Sequence, residues 1–228
     1  MAVIVDRLRR RPRPASSSGL RTALRLLRNE LRIALLHQMA RRRARALAGE
    51  RSLKIQLGCG PKPKPGWVNV DMVPQADFQL DLRKPLPFAT GSAALIYAEH
   101  FFEHLDHPGP AAPMLRECHR ILEPGGRLSL SVPGVEWHLE RYVANDREWF
   151  DSERTSGQRP PWVETPIDSL NYFFRQDGEH RYAYDTETLL LRVAQAGFVD
   201  VATRDFDPEL DSPDRRWSLC VDGRKPTD

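Results

Sequence analysis

The chain has little of what marks a secreted or membrane-embedded protein. Its 228 residues include three cysteines, Cys59, Cys118 and Cys220, with no metal-ligand spacing among them, which fits a reduced cytosolic compartment. No uninterrupted apolar run approaches the roughly 18–20 residues of a spanning helix, and a mean hydropathy of −0.53 argues against an integral membrane protein. No internal repeat is apparent. Lysine is missing from the first 50 residues, which carry 13 arginines against three acids, a net +10. The other 178 residues carry 21 basic and 28 acidic side chains, a net −7, so the overall +3 conceals two parts suited to different partners. The acidic body is a poor nucleic-acid surface by bulk charge. With 40% hydrophobic residues, the chain can build one packed domain of ordinary size plus an extension.

What is present is concentrated between Leu53 and Asp71. Leu53 to Leu57 reads as a short buried strand that ends in Gly58-Cys59-Gly60, where backbone can approach a ligand with no side chain in the way. Trp67 to Val70 reads as a second strand, with Asp71 at its tip. A carboxylate there, beside a glycine turn, suits the two hydroxyls of a ribose. A dinucleotide site wants a third glycine opening a helix that holds the pyrophosphate. Here Pro61-Lys62-Pro63-Lys64-Pro65 follows instead, and the interval to Asp71 is short for a full strand–helix–strand unit. A nucleoside cofactor without phosphates tolerates both departures.

Elsewhere, periodicity outlines an α/β chain. Residues 1–19 read as a disordered basic arm. From Leu20 to about Ala48 the pattern is helical, with Leu20, Leu24, Leu27, Leu31, Leu35 and Met39 in one stripe and Arg21, Arg25, Arg28 and Arg32 in another. This helix could pack on the domain or a second subunit, lie on an anionic membrane, or bind nucleic acid; its composition also suits an organellar transit peptide. Beyond Arg51, strands are expected at Ala76–Leu80, Ala94–Ala98 and Arg127–Val132, and helices at Ala111–Leu122 and Thr186–Ala196, with Thr186 as N-cap. Phe198–Thr203 and Trp217–Val221 look like the last two strands. About seven strands, with helices between the first five, imply a mostly parallel sheet covered on both faces. Residues 133–185 show no steady period and read as an insert covering the site. The chain thus divides into an arm and amphipathic helix, 1–50, and a catalytic domain, 51–228, with a lid insert at about 133–185.

The Leu-Gly-Cys-Gly turn and the Gly-Trp-Val-Asn-Val-Asp second strand resemble the first two motifs of class I S-adenosylmethionine-dependent methyltransferases, in a branch with a shortened loop. Helix 111–122, the Pro124-Gly125-Gly126 turn and strand 127–132 resemble the same family. The resemblance implies a Rossmann-like fold whose last two strands form an antiparallel hairpin. It implies S-adenosylmethionine as cofactor, held by Gly58, Cys59, Gly60, Asp71 and Met72, with Asp81 and Leu82 at the adenine and Glu99 nearby. Many family members carry an acid two residues before the first glycine, near the cofactor's ammonium; here Gln56 stands there and can still accept a hydrogen bond.

Methyl transfer from a sulfonium needs alignment and, for oxygen or nitrogen acceptors, a base; it needs no metal in principle. Glu99, His100, Glu103 and His104 are expected on a first helical turn after the fourth strand; the resemblance implies that His100 faces the methyl donor, where a near-neutral imidazole could act as general base, contact cofactor or substrate, or serve structure. A metal site from these four and His107 is the less favoured alternative. A second cluster, Glu179-His180-Arg181-Tyr182, could reach the acceptor, with His180 as the other candidate base. Trp137, His138, Trp149 and Trp162 could stack on a sugar or ring, or could simply be lid core. The expected activity is methylation of a small-molecule, sugar or lipid-linked glycan acceptor at oxygen, by a cytoplasmic enzyme that touches the inner membrane face through residues 20–48. A non-catalytic interaction protein and a nucleic-acid methyltransferase using the basic arm are the alternatives. Against the latter, Glu99-His100-Phe101-Phe102 stands where an Asn/Asp-Pro-Pro-Tyr/Phe motif would be.

Overall fold

The computed structural model describes residues 19–157 and 159–227. Seven strands, β1 Leu53–Leu57, β2 Val68–Asp71, β3 Phe78–Gln79, β4 Ala93–Glu99, β5 Leu122–Val132, β6 Val199–Thr203 and β7 Leu219–Arg224, form one sheet in the order β3-β2-β1-β4-β5-β7-β6. The first five run parallel, and β7 is antiparallel to both β5 and β6. The strand order reverses between β1 and β4, and in such sheets the crevice at the reversal is where ligands bind. Ile55 pairs with Val68 on one side and Ile96 on the other, and Ile96 with Leu128. Ile55, Ile96 and Leu128 have no exposed surface, as expected of strands covered on both faces.

Among the described residues, the helices are α1 Gly19–Arg43, α2 Ala111–Ile121, α3 Val135–Val143, α4 Arg147–Thr155, α5 Pro166–Arg175 and α6 Thr186–Gln195. α2 buries Met114, Leu115, Cys118 and Ile121, one stripe at helical spacing. The insert folds into α3, α4 and α5, the last opened by a capping box in which Thr165 and Asp168 exchange side-chain and backbone bonds.

Several expectations change. The arm at residues 1–19 lies outside the described residues except for Gly19, which opens α1. The α1 leucine stripe does not face the body: Leu20, Leu31 and Leu35 are more than 60% exposed, and the helix docks instead through His37, Ala40 and the following Ala44. Buried His37 accepts the Asp81 backbone N–H at 3.1 Å through Nδ1, and desolvation lowers its basicity. β3 is two residues long, and β5 continues back through Pro124–Gly126 because Leu122 pairs with Ala93. Asp185, not Thr186, caps α6 and accepts the Thr188 N–H at 2.8 Å. The last strand starts at Leu219, which leaves Trp217 in the preceding connection. No helix among the described residues is long and apolar enough to cross a membrane.

The 15-residue connection from β6 to β7 crosses the carboxyl ends of β1 and β4. Its anchor is Arg204, which grips the Asp211 carboxylate through two nitrogens at 2.5 and 2.7 Å, while Tyr97 of β4 donates to the same carboxylate at 2.9 Å. Burial raises the Asp211 pKa, but the bonds from Arg204, the Asp207 backbone and Tyr97 outweigh it and hold the group below the ordinary carboxylate range. Asp211→Asn removes the main partner of the Arg204 charge, which is only 11% exposed and keeps Asp222 at 3.2 Å as its other carboxylate. The expected cost is about 3 kcal/mol in urea unfolding at neutral pH. A depressed carboxylate stabilises above its unfolded pKa and loses that contribution as pH falls through the folded value. The gap between wild type and Asp211→Asn should therefore shrink below about pH 4.

Candidate active site

The glycine turn after β1 is tied to the tip of β2 by one carboxylate. Asp71 accepts Gly60 N–H at 2.8 Å through one oxygen, and the Met72 and Val73 N–H groups through the other. Gly58 and Gly60 both have positive φ, +68° and +52°. A Cβ on Gly58 would lie 2.6 Å from Phe101 Cβ, whereas one on Gly60 would meet nothing within 4 Å. The proline-rich loop beyond is pinned by buried amides: Lys64 N–H is shared by Gln56 Oε1 at 3.1 Å and Asn69 Oδ1 at 2.8 Å. Gln56 thus has a bond of its own to make, besides lining the crevice.

Two cavities open at the carboxyl ends of the strands. The first, about 700 Å³, is bounded by Gly58–Lys62, Asp71, Glu99, His100 and, from the β6–β7 connection, residues 210–213 and Arg215. The second, about 440 Å³, is lined by Trp137, Trp149, Tyr172, Phe173 and Trp217, with Arg159 and Glu153 as a charged pair in its wall. His138 also lines it, stacked 3.7 Å from Phe173, and burial lowers its pKa to about 4. His100 lines both cavities.

Glu99 and His100 are not on a helical turn. Glu99 is the last residue of β4, His100 has φ +51°, and a 3-10 turn covers Phe102–His104. The Glu99 carboxylate is taken by Ser212, whose N–H and hydroxyl donate at 2.7 and 2.6 Å, with Arg215 at 3.5 Å. His100 Nε2 lies 2.7 Å from the Ser218 hydroxyl, and its ring meets Trp217 edge-on at 5.7 Å. Burial, with Arg215 nearby, pushes the His100 pKa down to about 3, so its basicity is far below the near-neutral value expected of it. His180 is lowered for the same leading reason. Burial raises Cys59 to about 11, with Asp71 adding to the shift, which keeps the thiol protonated.

Of the expected residues, Gly58, Cys59, Gly60, Asp71, Glu99 and His100 converge on the first cavity, and His180, Trp137, His138 and Trp149 on the second. Met72, Asp81 and Leu82 line neither. Asp81 is 3% exposed and bound by Arg83, whose Nε lies 2.9 Å away. Trp162 lies outside both cavities, edge-on to Tyr172 at 5.9 Å. Ser212, Arg215, Trp217, Arg159 and Glu153 were not legible as site residues. The unusual length of the last hairpin's connection, with turn signals at Asp207-Pro208 and Ser212-Pro213, was the available clue to three of them.

The sequence pattern of a family described as a methyltransferase domain matches residues 25–203. The chain belongs to this family. It is an enzyme of the methyltransferase class, and its cofactor is S-adenosylmethionine. Among solved structures, it is similar to a S-adenosylmethionine-dependent methyltransferase from Archaeoglobus fulgidus (TM-score 0.47, 16% identity, 88% of this chain and 98% of that one). Another from Methanosarcina mazei gives TM-score 0.48 at 15% identity over 81% and 97% of the two chains. A phosphoethanolamine N-methyltransferase from Haemonchus contortus gives 0.44 at 11% identity over 80% of this chain, which spans about half (51%) of that one. No curated protein matches the chain.

The two glycines of the methyltransferase turn respond differently to substitution. Gly58→Ala combines a left-handed φ with overlap on Phe101 and should cost about 2–5 kcal/mol in denaturant unfolding. Gly60→Ala carries only the backbone penalty, about 1–2 kcal/mol. Equal costs would contradict the packing of Phe101 on Gly58.

Proposed function

We propose that this methyltransferase methylates an oxygen of a small ring-bearing acceptor, a sugar or lipid-linked glycan, seated in the aromatic cavity. The observation that carries the proposal is His100, which borders both cavities and so stands where cofactor and acceptor would meet. The first cavity suits S-adenosylmethionine: its wall has backbone approachable at Gly60, and carboxylates at Asp71, Glu99 and Glu179 complement a cation. When bound, the cofactor supplies a methyl group on a sulfonium, an electrophile that needs no further activation. Asp71 Oδ2, which accepts a single backbone N–H, retains a lone pair for a ribose hydroxyl, with Gly58, Cys59 and Gly60 forming the floor. Asp81, spent on Arg83, is not carried forward as an adenine contact.

Trp137, Trp149 and Trp217 supply flat apolar faces for a ring, and Arg159 with Glu153 supplies charged hydrogen-bonding groups for its hydroxyls. The β6–β7 connection and the insert line the two cavities on either side of His100. His100 orients the acceptor hydroxyl, with Ser218 fixing the ring; as the methyl moves, the acceptor oxygen turns cationic and its proton strongly acidic, so that even the weakly basic His100 takes it, and His180, which lines the same cavity, is the other candidate base.

Calorimetry with S-adenosylhomocysteine tests the cofactor half. A hydrogen bond to a charged acceptor is worth roughly 1.5–3 kcal/mol, so Asp71→Ala should bind at least about tenfold more weakly. No binding by the wild type would sink the proposal. With an active acceptor in hand, His100→Ala should lower kcat about 100-fold or more while leaving S-adenosylhomocysteine affinity within a few-fold. Trp217→Ala should mainly raise the acceptor KM.

A further inference from the structure

One buried group has no role in this scheme. Glu103, on the 3-10 turn after β4, is 2% exposed, and neither carboxylate oxygen has a hydrogen-bond donor among the described residues. An unpartnered buried carboxylate is costly, and structures keep one only where something compensates it. Two imidazoles stand close by: His104 Nε2 and His100 Nδ1 each lie 3.9 Å from Oε1, beyond hydrogen-bonding distance.

The tautomers make the geometry more specific. His104 Nδ1 is 3.1 Å from the Glu179 carbonyl and His180 Nδ1 is 2.8 Å from the Phe173 carbonyl. A carbonyl only accepts, so both Nδ1 atoms carry hydrogen, and in the neutral rings both Nε2 atoms present lone pairs. One ligand atom from each of Glu103, His104 and His180 lies within 4.8 Å of the other two. Ligand atoms of one carboxyl group and two imidazoles therefore lie together in one small space. Nδ1–H bonded to a backbone carbonyl, with Nε2 free, is also the outer-shell arrangement of metal-ligating histidine.

We propose that Glu103, His104 and His180 bind a first-row divalent transition-metal ion, Zn²⁺, Fe²⁺, Mn²⁺ or Co²⁺ by donor chemistry, in the wall between the two cavities. Two imidazoles and a carboxylate form the facial set that leaves coordination positions open. Bonds of about 2.0–2.2 Å put tetrahedral ligand atoms roughly 3.4 Å apart, so small side-chain rotations close the set on an ion. The scaffold is already fastened: Arg181 and Tyr182 N–H both donate to the Glu103 carbonyl at 2.7 and 3.2 Å, which holds the His180 segment against the turn. His104 lines the first cavity and His180 the second, which gives the ion a way in and open positions facing either side. His100 Nδ1 is the nearest further ligand. The site stands on its own geometry; the role of polarising an acceptor oxygen rests on the function proposed above.

The test uses the full chain, stripped with a chelator and titrated with Co²⁺ by calorimetry and visible absorption. The expected result is one Co²⁺ per chain with ligand-field bands, displaced by Zn²⁺. Glu103→Gln and His180→Ala should each weaken binding at least tenfold, whereas His107→Ala, outside the ligand set, should not change it. Glu103→Gln keeps the shape and removes a buried charge; if it does not fold, the half-buried His180→Ala carries the comparison. Absence of stoichiometric Co²⁺, or binding unchanged in both ligand variants, overturns the site. S-adenosylhomocysteine binding by the same preparations separates the two proposals: cofactor without metal leaves methyl transfer standing alone, and metal without cofactor leaves only the ion site.

Discussion

The buried Arg204–Asp211 ion pair, fastened to Tyr97 of β4, is the interaction on which the site's shape depends. With it, the β6–β7 connection lies across the ends of β1 and β4 and delivers four groups at once. Ser212 and Arg215 cover Glu99, Trp217 lines the aromatic cavity, and Ser218 meets His100. A buried ion pair is weak evidence of net stability, because desolvation offsets most of its attraction. Its value here is positional. Arg204 is further bonded to Ser129 and Asp222, so its charge is compensated in only one arrangement of the loop.

This also explains what could be read in the sequence and what could not. β1, its glycine turn, β2 and Asp71 are legible because each rests on local chemistry: a short apolar run, residues that permit positive φ, a carboxylate at a strand tip. α2 is legible from the spacing of Met114, Leu115, Cys118 and Ile121. Tyr97 and Asp211 meet across 114 positions, and Glu99 and Ser212 across 113; no periodicity links such residues. The partners of Asp81 were hidden for a similar reason. Its position after β3 predicted a ligand contact, but Arg83 next to it, and Glu30 from α1 behind Arg83, claim the charge. The leucine stripe of α1 obeyed helical period yet did not identify the buried face. A stripe marks a face that can be covered, whereas small Ala40 and Ala44 mark where the sheet edge approaches closely enough to dock.

Composition alone could not divide the insert into core and site, since Trp and His serve both. The structure separates them by neighbours. His138 is stacked on Phe173 and edge-on to Trp149, a packed ring that also lines the cavity. His180 turns its Nδ1 to the chain and leaves Nε2 for something else.

His100 brings these constraints together. A left-handed conformation costs a non-glycine residue about 1–2 kcal/mol, and here the ring so placed is held by the Ser218 hydroxyl and the edge-on Trp217. Its N–H still donates to Ser131 at 2.8 Å, so the β4–β5 ladder holds the residue in the strained well one step beyond the last regular pair. Had the strand continued, the next side chain would have alternated into one face of the sheet. The change of φ instead turns the ring out at the strand end, where it borders both cavities and lies 3.9 Å from Glu103. Glycine would relieve the strain and remove the ring. The strain is therefore tied to the ring's placement, and this ties the end of β4 to the chemistry at the boundary of the two cavities.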